Sequence, residues 1–231
     1  MRKFILDLIF PVKCLGCSAE GQFICPSCLS QIPINQGLPK EKLIITTDYK
    51  NLLIKESIHQ FKYGFVQELS KPLGEIMSQK LSSYFNNESN ILIPIPLHQK
   101  RLKWRGFNQS ELLAQEIGKK LNIQVINNLL IRNKNTLPQA KIKNAQEREK
   151  NIKNVFELAS FPPSLSFPRK RESRNKLTWI PNQVGNDNKF KNKTFILIDD
   201  VSTTGGTIQE CAKVLKPLKP KEIWGLVLAR G

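Results

Sequence analysis

Residues 195–207 read FILIDDVSTTGGT. Four apolar residues, Phe195 to Ile198, run into Asp199 and Asp200, and hydroxyls and glycines follow. The apolar run reads as the end of a buried strand. In an open α/β sheet the carboxyl ends of the strands face the ligand crevice, so the two carboxylates belong at a binding site. Ionised carboxylates only accept hydrogen bonds, which suits a pair of sugar hydroxyls, held directly or through Mg2+. STTGGT then leads into a helix. Backbone N–H groups at a helix N-terminus, with threonine hydroxyls added, form a phosphate cradle. Glycine lets the chain approach the anion closely. Asp199 and Asp200 for a ribose, with Thr203, Thr204, Gly205, Gly206 and Thr207 for its phosphate, describe a ribose 5-phosphate site. A Walker A loop does not fit, because no lysine follows these glycines, and no G-x-G-x-x-G is present. The plainer alternative is a polar turn with two surface charges.

The flanking sequence supplies the sheet. NLLIKESIHQFKY at 51–63, residues 66–85, NQSELLAQEIGKKL at 108–121 and TIQECAKVLKPL at 207–218 carry apolar side chains at helical spacing. Asn108 and Ser110 are the candidate caps of the third of these. ILIPIP at 91–96, IQVI at 123–126, TFILID at 194–199 and EIWGLVLAR at 222–230 read as strands. Strands alternating with helices predict an α/β fold, a mainly parallel sheet covered on both faces. Residues 133–153 are polar with few apolar anchors and read as a mobile loop or hood. Residues 161–190 hold four prolines, a basic run and no sustained period, and read as an exposed insertion.

Four of the five cysteines, Cys14, Cys17, Cys25 and Cys28, form two C-x2-C turns seven residues apart. Two such turns offer the four thiolates of a tetrahedral structural zinc; two disulfides or free thiols are the alternatives. Cys211 lies alone in a helical pattern and reads as a core thiol. The N-terminal MRKFILDLIFPVKC mimics a secretory signal, but Asp7, Pro11 and Lys13 interrupt its apolar run and no small-residue cleavage site follows. No window approaches the ~20 apolar residues of a membrane span. These features predict a cytoplasmic protein in which disulfides are disfavoured.

The 231 residues carry a net charge of +17, unevenly placed. Residues 98–153 hold 13 Lys/Arg against 4 acids, and residues 161–193 hold 8 against 2. The first stretch flanks the phosphate-loop candidates and suits phosphates or nucleic acid; the second reads as solvated basic loop.

ILIDDVSTTGGT resembles the phosphoribosyl pyrophosphate (PRPP) motif of type I phosphoribosyltransferases, and the chain as a whole resembles the ComF family of competence-associated proteins. Besides the four-cysteine module, PIPLHQKRLKWRGFNQSELLA at 94–114 is similar to that family's P-x-P-…-R-…-R-G-F-N-Q block, and TLPQAKIKNAQEREKNIKNVF at 136–156 to its T-x-x-Q-…-R-x-x-N-…-F block. Residues 161–190 are the departure. The resemblance implies a zinc module over residues 1–40 and a phosphoribosyltransferase-like domain over 41–231. It implies PRPP and Mg2+ as ligands, with Asp199 and Asp200 on the ribose and metal shell and 203–207 on the 5-phosphate. Arg101 and Arg105 fall in the pyrophosphate loop, with Lys100 and Lys103 as weaker candidates. Gln139, Arg148 and Asn151 fall in the mobile segment, where closure excludes water. Lys62 either reaches the site or ends its helix favourably. His59 and His98 read as structural. Three functions remain open at this stage: phosphoribosyl transfer to an unknown acceptor, PRPP sensing without turnover, and an accessory role in DNA uptake through single-stranded DNA or a competence helicase.

Overall fold

A computed structural model describes residues 11–85, 89–136, 144–159 and 190–231. In chain order its elements are α1 (Pro26–Ser30), β1 (Leu43–Asp48), α2 (Leu52–Tyr63), a 3-10 turn (Gln67–Leu69), α3 (Ser70–Ser82) and β2 (Asn90–Pro94). Then follow α4 (Gln99–Arg105), α5 (Gln109–Leu121), β3 (Gln124–Val125), β4 (Leu130–Arg132), α6 (Ala145–Ile152) and β5 (Phe156–Leu158). The chain ends with β6 (Thr194–Ser202), α7 (Gly206–Leu215), a second 3-10 turn (Lys216–Leu218) and β7 (Glu222–Arg230).

Five strands form one sheet in the order β1-β7-β6-β2-β3, and every pairing in it is parallel. The parallel α/β sheet expected from the sequence is therefore present. β4 and β5 flank the 133–153 segment and form a separate antiparallel pair, called the hood below, in which Ile131 faces Glu157. The sheet is buried on both faces, and its side chains sort by parity. Ile196 and Ile198 of β6 join Ile44, Leu92 and Leu226 in a core beneath α2, α3 and α5. Phe195 and Leu197 join Ile91, Ile93 and Val227 in a second core beneath α7 and the hood.

Local chemistry sets the helix ends. Asn51 caps α2 by accepting from the Ile54 amide at 3.1 Å, and Asn108 caps α5 by accepting from the Ser110 amide at 3.2 Å. Gly106, at φ +81°, supplies the left-handed turn between α4 and α5.

Several boundaries differ from the sequence reading. The strand expected at 123–126 is the two-residue β3, and the strand expected at 194–199 continues through Ser202. Of the expected mobile segment, 133–136 and 144–153 are described, the latter mostly as α6, while Gln139 lies outside the described residues. The expected insertion also lies outside them except for Phe190. That residue packs edge-on against Phe195 with ring centroids 5.2 Å apart, in the second core. On the N-terminal side of that stretch the chain is fixed by the Ala159 amide donating to the Leu129 carbonyl at 3.1 Å.

The cysteine module sits on the first core. Ile24 and Ile32 are buried in it, and Leu15, Phe23 and Leu29 pack against it. Among the described residues, no helix is long and apolar enough to cross a membrane.

Candidate functional site

β6 lies between β2 and β7, so its carboxyl end opens between the loops that follow its neighbours. Asp199 and Asp200 sit there. Asp200 is 3% exposed, and its Oδ1 pairs with Lys62 Nζ at 2.9 Å. The same oxygen accepts from the Val201 amide at 2.6 Å, while Oδ2 is buried with no hydrogen-bond partner. Asp199 Oδ1 accepts from Ser110 Oγ at 3.0 Å and from the Asp200 amide at 2.9 Å. Burial above all, then the neighbouring Asp200 charge, pushes the Asp199 carboxyl up to about 7; Lys62 and the two donors oppose the rise.

The chain then turns into α7. Ser202 Oγ accepts from the Gly205 amide at 3.1 Å, and Gly205, at φ +80°, takes a left-handed conformation that favours glycine. No side chain caps α7, and its first residues, Gly206 and Thr207, line the crevice.

A cavity of about 330 Å³ gathers these groups. Its walls include Asp199, Asp200, Thr203, Thr204, Gly205, Gly206, Thr207, Arg101 and Arg105, so nine of the sequence-derived candidates converge. Lys62 reaches it from α2. Its lining also holds groups the sequence reading missed: Tyr63, Trp104, Gln109, Ser110 and Arg132. Arg105 donates to Gln109 Oε1 and Arg101 to the Thr136 carbonyl. Burial lowers the pKa of Arg101, Arg105 and Arg132, with Arg101 further lowered by Arg105, and Arg132 by Arg101; Asp200 opposes the shift at Arg105. Four cations (Lys62, Arg101, Arg105, Arg132) face two carboxylates across the cavity. That balance suits a ligand carrying several negative charges.

Other candidates are placed elsewhere. Asn151 lies on α6 and is not among the cavity walls, and Arg148 is on the same helix, its side chain outside what is described. Lys100 and Lys103 lie on α4 and do not line the cavity. His98 caps α4 through Nδ1, which accepts from the Lys100 amide at 3.2 Å, and His59 packs on Tyr63 at 5.2 Å. Cys211 is buried in α7, where burial pushes its thiol up.

The carboxylate floor fits Mg2+. Asp199 and Asp200 offer the hard oxygen donors this ion prefers, and Asp200 Oδ2 is a buried acceptor still lacking a partner.

The four sulfurs of Cys14, Cys17, Cys25 and Cys28 lie within 4.8 Å of one another, compatible with the ~3.8 Å edges of a tetrahedron with Zn–S near 2.3 Å. Backbone amides point at them: Gly16 and Cys25 donate to Cys14 Sγ at 3.4 and 3.3 Å, and Cys28 donates to Cys25 Sγ at 3.4 Å. Burial works against the Cys14 thiolate, but donation from the Cys25, Cys17 and Gly16 backbones and the Cys17 side chain outweighs it and brings the thiol down to about 6. Hydrogen bonds with Cys25 and Cys17 hold Cys28 up at about 12. The residues therefore fit zinc.

A larger groove, about 1080 Å³, lies between this module and α3 and α5. Its walls mix apolar side chains with helix-surface charges, and Lys120 and Glu75 there are paired with each other, so it lacks the convergent charge of the smaller cavity.

Residues 138–231 match the family model of the phosphoribosyl transferase domain. The matched stretch includes strands β6 and β7 of the sheet and helix α7 between them. The chain is 29% identical to Competence protein F of Haemophilus influenzae over 224 residues, covering 94% of this chain and 84% of that one. It is 26% identical to the DNA utilization protein YhgH of Escherichia coli K12, over 87% of this chain and 82% of the relative. It is also 26% identical to Competence protein ComFC of Bacillus subtilis, over 71% of this chain and 54% of the relative.

Two tests follow. Replacing Cys17 by Ser removes one of four sulfur donors, so zinc measured on the purified chain should fall from about one ion to near none, with melting lowered on the order of 10 °C. Unchanged zinc content would rule out the four-thiolate site. The second test concerns Asp199, whose raised pKa makes its neutral form the one the fold prefers. Its contribution is fully present below pH ~4 and is lost as pH rises toward 7. Asp199→Asn removes that loss, so thermal melts should show the variant gaining on the parent between pH 5 and 8. Parallel pH profiles would contradict the assignment.

Proposed function

We propose that this chain is a ComF-type, phosphoribosyltransferase-like protein of the cytoplasm that binds PRPP with Mg2+ and serves DNA uptake. One observation carries the reading: adjacent carboxylates, one of them buried with an unpartnered oxygen, and an uncapped helix N-terminus share one cationic cavity. PRPP presents a 5-phosphate, a ribose diol and a diphosphate in that order, and the cavity offers a cradle, carboxylates and guanidinium groups. The relatives named for competence and DNA utilization support the cellular role.

In the transfer reaction, the bond between C1 and the pyrophosphate oxygen breaks, and the electron pair leaves with pyrophosphate. A lone pair of the acceptor forms the new bond at C1, and the acceptor loses a proton to water. Positive charge gathers on the ribose in between, so positioning and charge stabilisation dominate. When bound, Mg2+ neutralises charge on the diphosphate and orients it. Asp199 and Asp200 hold the ribose hydroxyls. The 203–207 turn fixes the 5-phosphate. Arg101 and Arg105 take the diphosphate in bidentate contact. Lys62 occupies Asp200 Oδ1 until the donor arrives. Gln139, Arg148 and Asn151 belong to the segment assigned to close over the site.

Titration calorimetry with PRPP and Mg2+ tests the pocket. The parent should bind, and Asp200→Asn should weaken binding about 10- to 100-fold; no heat for the parent at millimolar ligand would sink the reading. Pyrophosphate release on adding acceptors then separates a transferase from a PRPP sensor.

A second reading, direct contact with single-stranded DNA, is favoured by the aromatic rim of the cavity. Tyr63, Phe65 and Trp104 are 50%, 43% and 58% exposed, and Trp104 meets Phe65 edge-on at 5.2 Å and Tyr63 at 6.2 Å. The cationic Lys100 and Lys103 lie on the same helix as Trp104. Trp104→Ala should weaken binding of a single-stranded oligonucleotide about 5- to 100-fold with little change in salt slope. Replacing Lys100 and Lys103 together should reduce that slope by about 1.4. An affinity unmoved by either change would exclude this face.

A further inference from the structure

The cavity lies at the carboxyl ends of the strands, and a different surface lies at their amino ends. Three neighbouring strands, β1, β7 and β6, are each preceded by the same pattern, lysine-x-lysine. Lys40 and Lys42 precede β1, Lys219 and Lys221 precede β7, and Lys191 and Lys193 precede β6. Backbone hydrogen bonds join the three into one edge. The Gly225 amide donates to the Lys42 carbonyl at 2.8 Å, and the Lys221 amide donates to the Lys193 carbonyl at 2.8 Å. Five of the six lysines are exposed, and Lys193 is half-buried.

The turns that carry them are firmly built. The Leu43 amide donates to the Lys40 carbonyl at 2.9 Å across a turn whose central residues, Glu41 and Lys42, have φ +52° and +59°. Lys219, at φ +51°, sits between Pro217 and Pro220. Glycine or asparagine is the usual occupant of such left-handed positions, so a lysine there is held at some cost. The prolines remove backbone freedom and give the ammonium groups a stiff base.

Countercharge is scarce along this edge. Glu41 and Glu222 are the acids of these turns, and both are engaged. Glu222 pairs with Lys42 at 3.2 Å and accepts from Trp224 Nε1 at 2.8 Å, while Glu41 accepts from Gln209 at 3.1 Å. Among the described residues, Lys40, Lys191, Lys219 and Lys221 make no ion pair. A helix dipole accounts for a lysine in a last helical turn, such as Lys216, but not for lysines in turns that enter strands. Like charges in a row repel, and a polyanion lying across them removes that repulsion.

Spacing and chemistry narrow the polyanion. Neighbouring strands lie ~4.8 Å apart, so the row spans ~10 Å. A duplex carries a phosphate per ~3.4 Å of axis on each strand, so the row faces about three phosphates of one strand. Ammonium groups neutralise phosphates as point charges, without the forked contacts that read bases. Trp224, the aromatic of this edge, is half-buried and packs edge-on against Phe85 at 5.3 Å, so it offers no platform for unpaired bases.

We propose that the lysine row before β1, β7 and β6 is a docking surface for the phosphate backbone of a nucleic-acid duplex, separate from the donor cavity and from the aromatic rim that suits a single strand. Asp199 lies six residues along the chain from Lys193, with extended β6 between them, or ~20 Å away. A duplex held at the amino ends therefore leaves the cavity open.

The test is fluorescence anisotropy on the full zinc-loaded chain over a range of salt concentrations. Its probes are a short blunt-ended DNA duplex and, separately, one of its strands, with polyglutamate as competitor. The parent should bind the duplex, with affinity that falls as salt rises. Replacing Lys191, Lys219 and Lys221 together by Gln should weaken the duplex at least about tenfold at low salt and lower its salt slope by about 2.7, leaving the single strand within about twofold. Arginine at the same three positions keeps the charge and should bind the duplex within about twofold of the parent. Lys191→Gln alone leaves the left-handed turns intact and should lower the slope by about 0.9; it serves if the triple variant does not fold, as judged by circular dichroism. Failure of the parent to bind the duplex at low salt, a slope unmoved by the substitutions, or a single strand weakened as much as the duplex overturns the surface. Polyglutamate that displaces the duplex at equal charge concentration gives the row to an acidic protein and overturns the duplex assignment.

Discussion

Strand β6 is hydrogen-bonded along both edges, to β2 on one side and β7 on the other, and everything at the cavity depends on that. A strand flanked on both sides cannot slip by one residue without moving its core side chains to the wrong face. The alternation of Phe195 and Leu197 against Ile196 and Ile198 fixes the register. The register then fixes where the carboxylates emerge. Asp200 has the parity of Ile196 and Ile198, the face covered by α2, and this is why Lys62 at the end of α2 meets it at 2.9 Å.

That ion pair would be a poor investment if stability were the only aim, since one partner is almost fully buried and a buried pair seldom stabilises more than apolar packing. Its value is at the site. Lys62 holds Asp200 in place beside Asp199, and the imbalance of cations over carboxylates around the cavity is left for a ligand to settle. Stability is supplied instead by the two cores on either side of the sheet.

The β6–α7 turn, the cysteine pairs and helices α2 and α5 were legible because their signals are local: an apolar run, fixed spacings, a 3.6-residue period. β1 was not read as a strand because it is LIITTD, and threonines look like surface. In the fold Thr46 and Thr47 are fully buried, satisfied by donating to the carbonyls of Val227 and Pro33 at 2.9 Å each, partners on other segments of the chain. The aromatic rim was missed for a related reason. Tyr63 and Trp104 stand about forty residues apart, and Phe65 reaches Trp104 from a backbone of φ +58°, unusual for a non-glycine residue. Arg132 hid in a three-residue strand too short to carry a period. Lys62 was visible as a cation at a helix end, but only the sheet order showed which carboxylate it faces.

The two points that bracket residues 160–189 are both anchored. Ala159 is held by the Leu129 carbonyl, and Phe190 is wedged against Phe195 at the threshold of the central strand. Once the ends of a connection are fixed by the fold, its length enters the free energy only logarithmically, with each doubling costing about 0.6 kcal/mol. The link between hood and β6 is thus the place where this architecture tolerates growth. Extra sequence there can accumulate over generations while the register of β6, and with it the position of Asp199 and Asp200, is left untouched.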